Sequence, residues 1–122
     1  MANIEGTSGD DVLVGTPEAD TIDGAAGNDT LNGGDGTDTF VWLPGGGSDT
    51  IDGELGIDTL DVSGAASGWT VAFGPQQLIE SATDGTAFLT ISNVENFRGS
   101  NYADTINQAA PTAPGNPLIE GM

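Results

Sequence analysis

The chain reads as an all-β solenoid of short stacked strands, and three features carry that reading. Gly6 to Val41 divides without slippage into four nine-residue units, GTSGDDVLV, GTPEADTID, GAAGNDTLN and GGDGTDTFV, each with glycine first, aspartate sixth and a bulky apolar residue eighth. The period resumes after Trp42-Leu43 with PGGGSDTID and GELGIDTLD, and a distant copy, GSNYADTIN, runs from Gly99 to Asn107. Twenty glycines and only seven aromatic residues (Trp 2, Tyr 1, Phe 4) argue against an ordinary mixed core. Fixed-period self-similarity of this kind marks a repeat architecture.

Taken in order, Met1 to Glu5 form a short lead whose Ile4 starts the first strand. Within each unit the first six residues are turn material and the last three form a strand whose middle side chain points to one face. Glycines at the first, second and fourth positions allow backbone angles that a Cβ resists and let carbonyl oxygens converge. Threonine recurs at the seventh position, as suits a strand. Turn, strand, turn, strand over two units makes one coil, so units one and three share one edge of the solenoid and units two and four share the other. The eighth-position residues Leu13, Ile22, Leu31, Phe40, Ile51, Leu60 and Ile106 are expected to fill the interior. Gly64 to Gly68 reads as a small-residue linker. Trp69 to Phe73 alternates as a strand, and Leu78 to Ser81, a turn at Thr83-Asp84-Gly85, and Ala87 to Ile91 read as a hairpin or as two longer solenoid strands. Val94 to Phe97 leads into the last unit. The expected organisation is thus a lead plus repeat array over 1–61, a strand or hairpin segment over 62–98 that continues the solenoid on apolar packing, a degenerate final repeat over 99–107, and a proline-rich tail over 108–122.

Nineteen carboxylates against one cation, Arg98, set the formal charge at −18. Nucleic acid and anionic membrane surfaces are poor partners on electrostatic grounds, no nucleic acid is expected, and cations are favoured. The absence of cysteine and histidine removes disulfides, thiolate metal sites, the usual zinc ligand and the usual general base. No basic-then-apolar leader opens the sequence and no stretch reaches membrane-spanning length, so neither a cleavable signal nor membrane insertion is expected.

Stacking coils at ~4.8 Å brings Asp11 beside Asp29 and Asp20 beside Asp38. Each pair repels unless something positive lies between the turns, and a hard cation with oxygen ligands fits. An EF-hand is excluded, because no Asp-x-Asp-x-Asp-Gly loop with glutamate twelfth occurs.

On these residues, above all GAAGNDTLN and GGDGTDTFV, the array resembles the calcium-binding nonapeptide repeats of the repeats-in-toxin (RTX) family, with the pattern Gly-Gly-x-Gly-x-Asp-x-apolar-x. The likeness is close over Gly6 to Asp61 and loose over Gly99 to Asn107, and ISNVENFRGSNYADTI resembles the family's transition into a closing unit. It implies a right-handed parallel β-roll with calcium-binding turns, disordered without calcium and folding after type I-like export, hence an extracellular, secreted location. It also implies that backbone carbonyls and sixth-position aspartates of stacked turns hold each ion. Carried over residue by residue, the ligands are Asp11, Asp20, Asp29, Asp38, Asp49 and Asp58, paired as Asp11 with Asp29, Asp20 with Asp38, Asp29 with Asp49 and Asp38 with Asp58, together with the carbonyls of Gly24, Gly27, Gly33, Gly34 and Gly36, for about three to four Ca2+ ions. Thr16, Pro17 and Glu18 depart from the pattern in unit two, Pro44 does so in unit five, and Ser100 and Tyr102 do so in unit seven, which reads as a structural coil without an ion.

Other readings are weaker. Asp20 and Asp23 as a glycosidase-like pair are not needed once the repeat accounts for Asp20. Asp10, Asp23, Asp35, Asp52 and Asp61 read as solvated charges or weak extra ligands. Trp42 is expected to pack under the loop before unit five, and Arg98 to pair within the chain. The expected function is calcium binding coupled to folding of a secreted, non-enzymatic module. The alternatives are an adhesive solenoid whose threonine-rich face takes a surface glycan or protein ligand, and an accessory module of a secreted enzyme. Oligomeric state is left open.

Overall fold

The closing residues of each unit are extended and alternate one inward apolar side chain with outward neighbours. The computed structural model describes residues 2–43, 47–65, 67–74, 78–85, 87–100 and 102–108. Strand β1 (Ala2–Glu5) leads. The first six units then end in β2 (Val12–Val14), β3 (Asp20–Asp23), β4 (Thr30–Asn32), β5 (Thr39–Val41), β6 (Thr50–Asp52) and β7 (Thr59–Asp61). They are followed by β8 (Thr70–Phe73), β9 (Ile79–Thr83), β10 (Phe88–Ser92), β11 (Asn96–Arg98) and β12 (Thr105–Gln108). Pro44 and residues 109–122 of the expected tail lie outside the described residues.

Two sheets form, one ordered β1-β3-β5-β7-β11 and the other β12-β8-β9-β10-β6-β4-β2. A nine-residue half-coil forces this alternation: consecutive units feed opposite sheets, and every second unit stacks. All pairings among β1 to β7 are parallel, with Leu13 opposite Leu31, Ile22 opposite Phe40, Leu31 opposite Ile51 and Phe40 opposite Leu60. The stacking interval is 18 residues in the first coils and 20 where Trp42-Leu43 is inserted. The insertion is therefore absorbed at the turn without disturbing register. The fold is a parallel β-roll.

Ile22, Leu31, Phe40, Ile51 and Leu60 are buried and line the interior. Leu13 is only half-buried and Ile106 is 53% exposed, which corrects the expectation that all seven eighth-position residues are interior. The cause is position: β2 and β12 are the two end strands of their sheet, so each has a neighbouring coil on one side only.

The segment 62–98 departs from the nine-residue rule. β9 runs antiparallel to both β8 and β10, whereas β10 is parallel to β6 and β11 to β7. Hairpin and solenoid are thus combined, since β10 and β11 rebuild a coil on top of the array while β9 and β8 extend one sheet beyond it. Trp42 is 5% exposed, donates from Nε1 to the Gly47 carbonyl at 3.0 Å, and meets Trp69 edge to face with ring centroids 4.8 Å apart. Trp69, Val71, Ile79, Ala82, Leu89, Ile91 and Val94 continue the core. Arg98 lies 3.8 Å from Asp61 and is 70% exposed, an ion pair of small worth in solvent.

Phe40 stands fully buried at mid-array between Ile22 and Leu60. Phe40→Ala should cost about 3 to 5 kcal/mol, measured by urea unfolding at fixed calcium. Ile106→Ala, at an exposed sheet end, should cost well under half of that in the same measurement.

Candidate metal centre

Each turn is shaped by what its glycines allow to come close. Fourth-position Gly27 has φ 94°, and a Cβ there would lie 2.5 Å from the Gly9 carbonyl oxygen of the coil below. Gly47 and Gly56 face the carbonyls of Gly27 and Gly36 in the same way. At the second position Ala25 and Glu54 adopt positive φ, 63° and 60°, without being glycine. The preceding ninth-position aspartates brace them: Asp23 accepts from the Ala25 N–H at 2.9 Å and Asp52 from the Glu54 N–H at 3.0 Å. Asp61 does the same for Ser63, and Asp10 accepts from the Asn28 N–H of the next stacked turn at 2.8 Å. Asp10, Asp23, Asp52 and Asp61 thus also brace turns, a role not expected of them, while Asp10 remains exposed.

The sixth-position aspartates form two ladders. Along one edge the Asp11 N–H donates to Asp29 Oδ1 and the Asp29 N–H to Asp49 Oδ1, both at 2.8 Å. Along the other the Asp20 N–H donates to Asp38 Oδ1 at 2.9 Å and the Asp38 N–H to Asp58 Oδ1 at 2.8 Å. Stacking at the repeat period pairs Asp11 with Asp29 and Asp20 with Asp38, and the family resemblance implies the other two pairs. Asp20, Asp29, Asp38, Asp49 and Asp58 are all 5% exposed or less, and Asp11, on an end coil, is half-buried.

One oxygen of each rung is thus used, and the fate of the other divides the array. In units one and two a second-position threonine closes on it: the Thr7 and Thr16 N–H groups donate at 2.6 Å to Oδ2 of Asp11 and Asp20, and both hydroxyls bond the same carboxylates. Ser100 holds Asp104 likewise. Units three, four and six carry Ala25, Gly34 and Glu54 at that position, and Oδ2 of Asp29, Asp38 and Asp58 is buried with no hydrogen-bond partner. The same oxygens press on first-position Gly24, Gly33 and Gly53, where a Cβ would collide with them.

Carbonyls gather beside these oxygens. A Cβ on Gly6 would lie between Asp11 Oδ2 and the Gly24 carbonyl oxygen, and one on Gly15 between Asp20 Oδ2 and that of Gly33. Among the proposed carbonyl donors, Gly24 and Gly33 thus sit beside the carboxylates, Gly27 and Gly36 face the fourth-position glycines above them, and Gly34 packs with φ 77° against the Thr16 carbonyl. Among the described residues no three acidic side chains come together, so each candidate site combines two stacked carboxylates with backbone oxygens. Such a set suits a hard divalent cation with oxygen ligands. The buried, unpartnered oxygens and the cradles that only glycine leaves open fit that group.

Burial pushes the carboxyls of Asp49 and Asp58 up to about 7, against the lowering effect of the N–H groups they accept from, with repulsion from Asp29 below Asp49 and from Asp38 below Asp58 adding to the rise. Asp29 and Asp38 are raised for the same first reason. Asp104, in the last unit, faces the Trp69 N–H in place of a second carboxylate. Two features escaped the sequence reading. One is the Thr7 and Thr16 latch, whose signal is a hydroxyl where the repeat has its second glycine. The other is Glu95, which accepts from the Asp58 N–H at 2.8 Å and carries no repeat signal.

Stacked parallel turns with paired, buried carboxylates define a cation-binding β-roll. A family model for the RTX calcium-binding nonapeptide repeat matches the chain in four copies, over residues 5–40 and 45–61. Residues 5–61 are therefore an RTX repeat array, and calcium is the cation such repeats bind. No curated protein and no solved structure matches the chain.

In the metal-free chain the raised carboxyls hold protons in the fold that they release on unfolding. Stability should then fall as pH rises from about 4, the ordinary carboxylate value, to about 7, where Asp49 and Asp58 titrate. Chelator-treated protein should show more β-structure by far-UV circular dichroism at pH 5 than at pH 8. Saturating calcium should reverse that order, because the carboxylates then bind metal in their ionised form.

Proposed function

We propose that the array is a calcium-dependent folding switch of an extracellular, secreted module with no enzymatic activity of its own. The single observation that carries this is the set of three buried, unpartnered carboxylate oxygens on Asp29, Asp38 and Asp58. Burying carboxylates without a positive partner costs several kcal/mol per ion. A bound cation supplies the charge that lets both carboxylates of a pair ionise. Asp29 with Asp49 and Asp38 with Asp58 form the first sites to fill, because Oδ2 of Asp29, Asp38 and Asp58 is already free. Asp11 with Asp29 and Asp20 with Asp38 follow, since Thr7 and Thr16 must first give up the carboxylates they hold. Extracellular modules typically bind calcium at about 10⁻⁴ to 10⁻³ M, well above cytosolic levels, so a chain of this charge would be exported unfolded and fold outside.

Far-UV circular dichroism of chelator-treated protein should show β-structure appearing cooperatively with calcium and not with magnesium. Asp38→Asn, which touches both Asp20 and Asp58, should raise the calcium midpoint about tenfold or more. β-structure already complete in chelator at pH 7.5 would defeat the switch.

A surface-binding role has one observation in its favour: Thr30, Thr50 and Thr90 stand side by side in register, all exposed, on one sheet. On that reading, changing Thr30 and Thr50 would abolish ligand binding and leave calcium uptake intact. An accessory role beside a secreted enzyme would use the same face.

A further inference from the structure

The Asp20, Asp38, Asp58 ladder does not stop at the last tandem repeat. The Asp58 N–H donates to Glu95 Oε1 at 2.8 Å, the bond that each lower aspartate makes to the sixth-position carboxylate above it. The flanking backbone keeps the same register. The Asn96 N–H donates to the Asp58 carbonyl at 3.0 Å, as Thr59 does to Asp38 at 2.9 Å, and the Gly53 N–H donates to the Ser92 carbonyl at 2.9 Å, as Gly33 does to Asp52. Ser92 thus stands ninth, Asn93 first, Glu95 sixth and Asn96 seventh in a coil whose turn is cut to a single intervening residue, Val94. The longer glutamate side chain makes up the missing reach.

We propose that Asp58 and Glu95 form a further divalent-cation site, closing the array on a residue outside the repeats; this rests on the reading of the lower ladder as calcium-binding. Asp58 is fully buried and its Oδ2 has no hydrogen-bond partner. A Cβ on Gly53 would collide with that oxygen and with the Asn93 carbonyl oxygen, so the free carboxylate oxygen and a backbone carbonyl converge on one spot. In the lower turns the corresponding spot, at Gly6 and Gly15, is shared by an aspartate Oδ2 and the Gly24 or Gly33 carbonyl. Asn93 is held there at φ 57°, its Nδ2 donating to Asp52 Oδ1 at 2.9 Å. On the opposite edge the equivalent position above Asp49 is Leu89, since Thr90 pairs with Thr50 and donates to the Asp49 carbonyl. That edge therefore ends without a second carboxylate, and the extra site is confined to one side of the roll. The shortened turn, with Val94 alone between Asn93 and Glu95, offers fewer carbonyls than a full repeat.

Glu95→Gln keeps the oxygen that accepts from Asp58 and removes the charge. Calorimetric titration of the full chain with calcium should show one equivalent fewer in Glu95→Gln than in the parent, with the same circular dichroism at saturating calcium. Asp104→Asn, beside Trp69, should lose none. Anomalous scattering from crystals of the parent grown in calcium provides a reading independent of any variant's folding: a peak between Asp58 and Glu95 supports the site. Equal stoichiometry in parent and Glu95→Gln, or peaks confined to the aspartate pairs below, overturns it while leaving the aspartate ladder standing. No calcium uptake by the parent overturns both readings together.

Discussion

Five carboxylates stacked inside a narrow roll, with no cationic side chain among them, constrain everything else in this molecule. Asp20, Asp29, Asp38, Asp49 and Asp58 are buried, and the chain's one basic residue sits on the surface beside Asp61. In a protein interior such charges must be protonated, solvated by hydrogen bonds or neutralised by a cation. Backbone N–H groups of the turn below solvate one oxygen of Asp29, Asp38, Asp49 and Asp58. The second donor is missing in units three, four and six, because Ala25, Gly34 and Glu54 stand where Thr7 and Thr16 close on the carboxylates of units one and two.

Two chemistries answer that constraint, and they are distributed along the roll. In units one and two the second-position threonine folds back with both its N–H and its hydroxyl, and Ser100 repeats the device in the last unit. Units three, four and six lack the hydroxyl, and their oxygens stay unpartnered. A turn latched by its own threonine tolerates the absence of metal better than one that is not. In units one to four and six, whether the second carboxylate oxygen is satisfied or left bare is therefore decided at a single position of the nine.

That position shows why only part of the site was legible in the sequence. Register, sheet alternation and the pairs Asp11 with Asp29 and Asp20 with Asp38 follow from the period alone, since a parallel stack of equal coils leaves each residue one vertical neighbour; the pairs across the insertion come from the family resemblance. Even the insertion of Trp42-Leu43 was harmless, because a turn can lengthen without moving the strands it joins. The sequence leaves the direction of β9 open between a hairpin and two solenoid strands, and the hairpin holds for β9 and β10: Leu78 to Ile91 carries the alternation of any half-buried strand, and alternation does not encode direction. Glu95 was invisible for a related reason. It reaches the ladder through a shortened turn and a longer side chain, so no fixed spacing announces it, and only the backbone bonds of Asn96 and Gly53 reveal the rung it occupies. The exposure of Ile106 reflects a sheet end, which a repeat pattern does not mark.

The same constraint separates the molecule into two regimes of stability. Among the described residues, every buried carboxylate lies between Asp20 and Asp58, whereas from Val62 to Val94 the buried side chains are apolar. Apolar burial at roughly 25 cal/mol per Å² is indifferent to calcium and nearly so to pH, while buried carboxylates respond to both. The coil formed by β10 and β11 joins the regimes, since β10 pairs with β6 and β11 with β7. Its Val94 packs into the core while the adjacent Glu95 completes the ladder. The Asp58–Glu95 rung thus ties the repeat turns to the first coil of the apolar segment, whose packing around Val94 sets Glu95 against the uppermost aspartate.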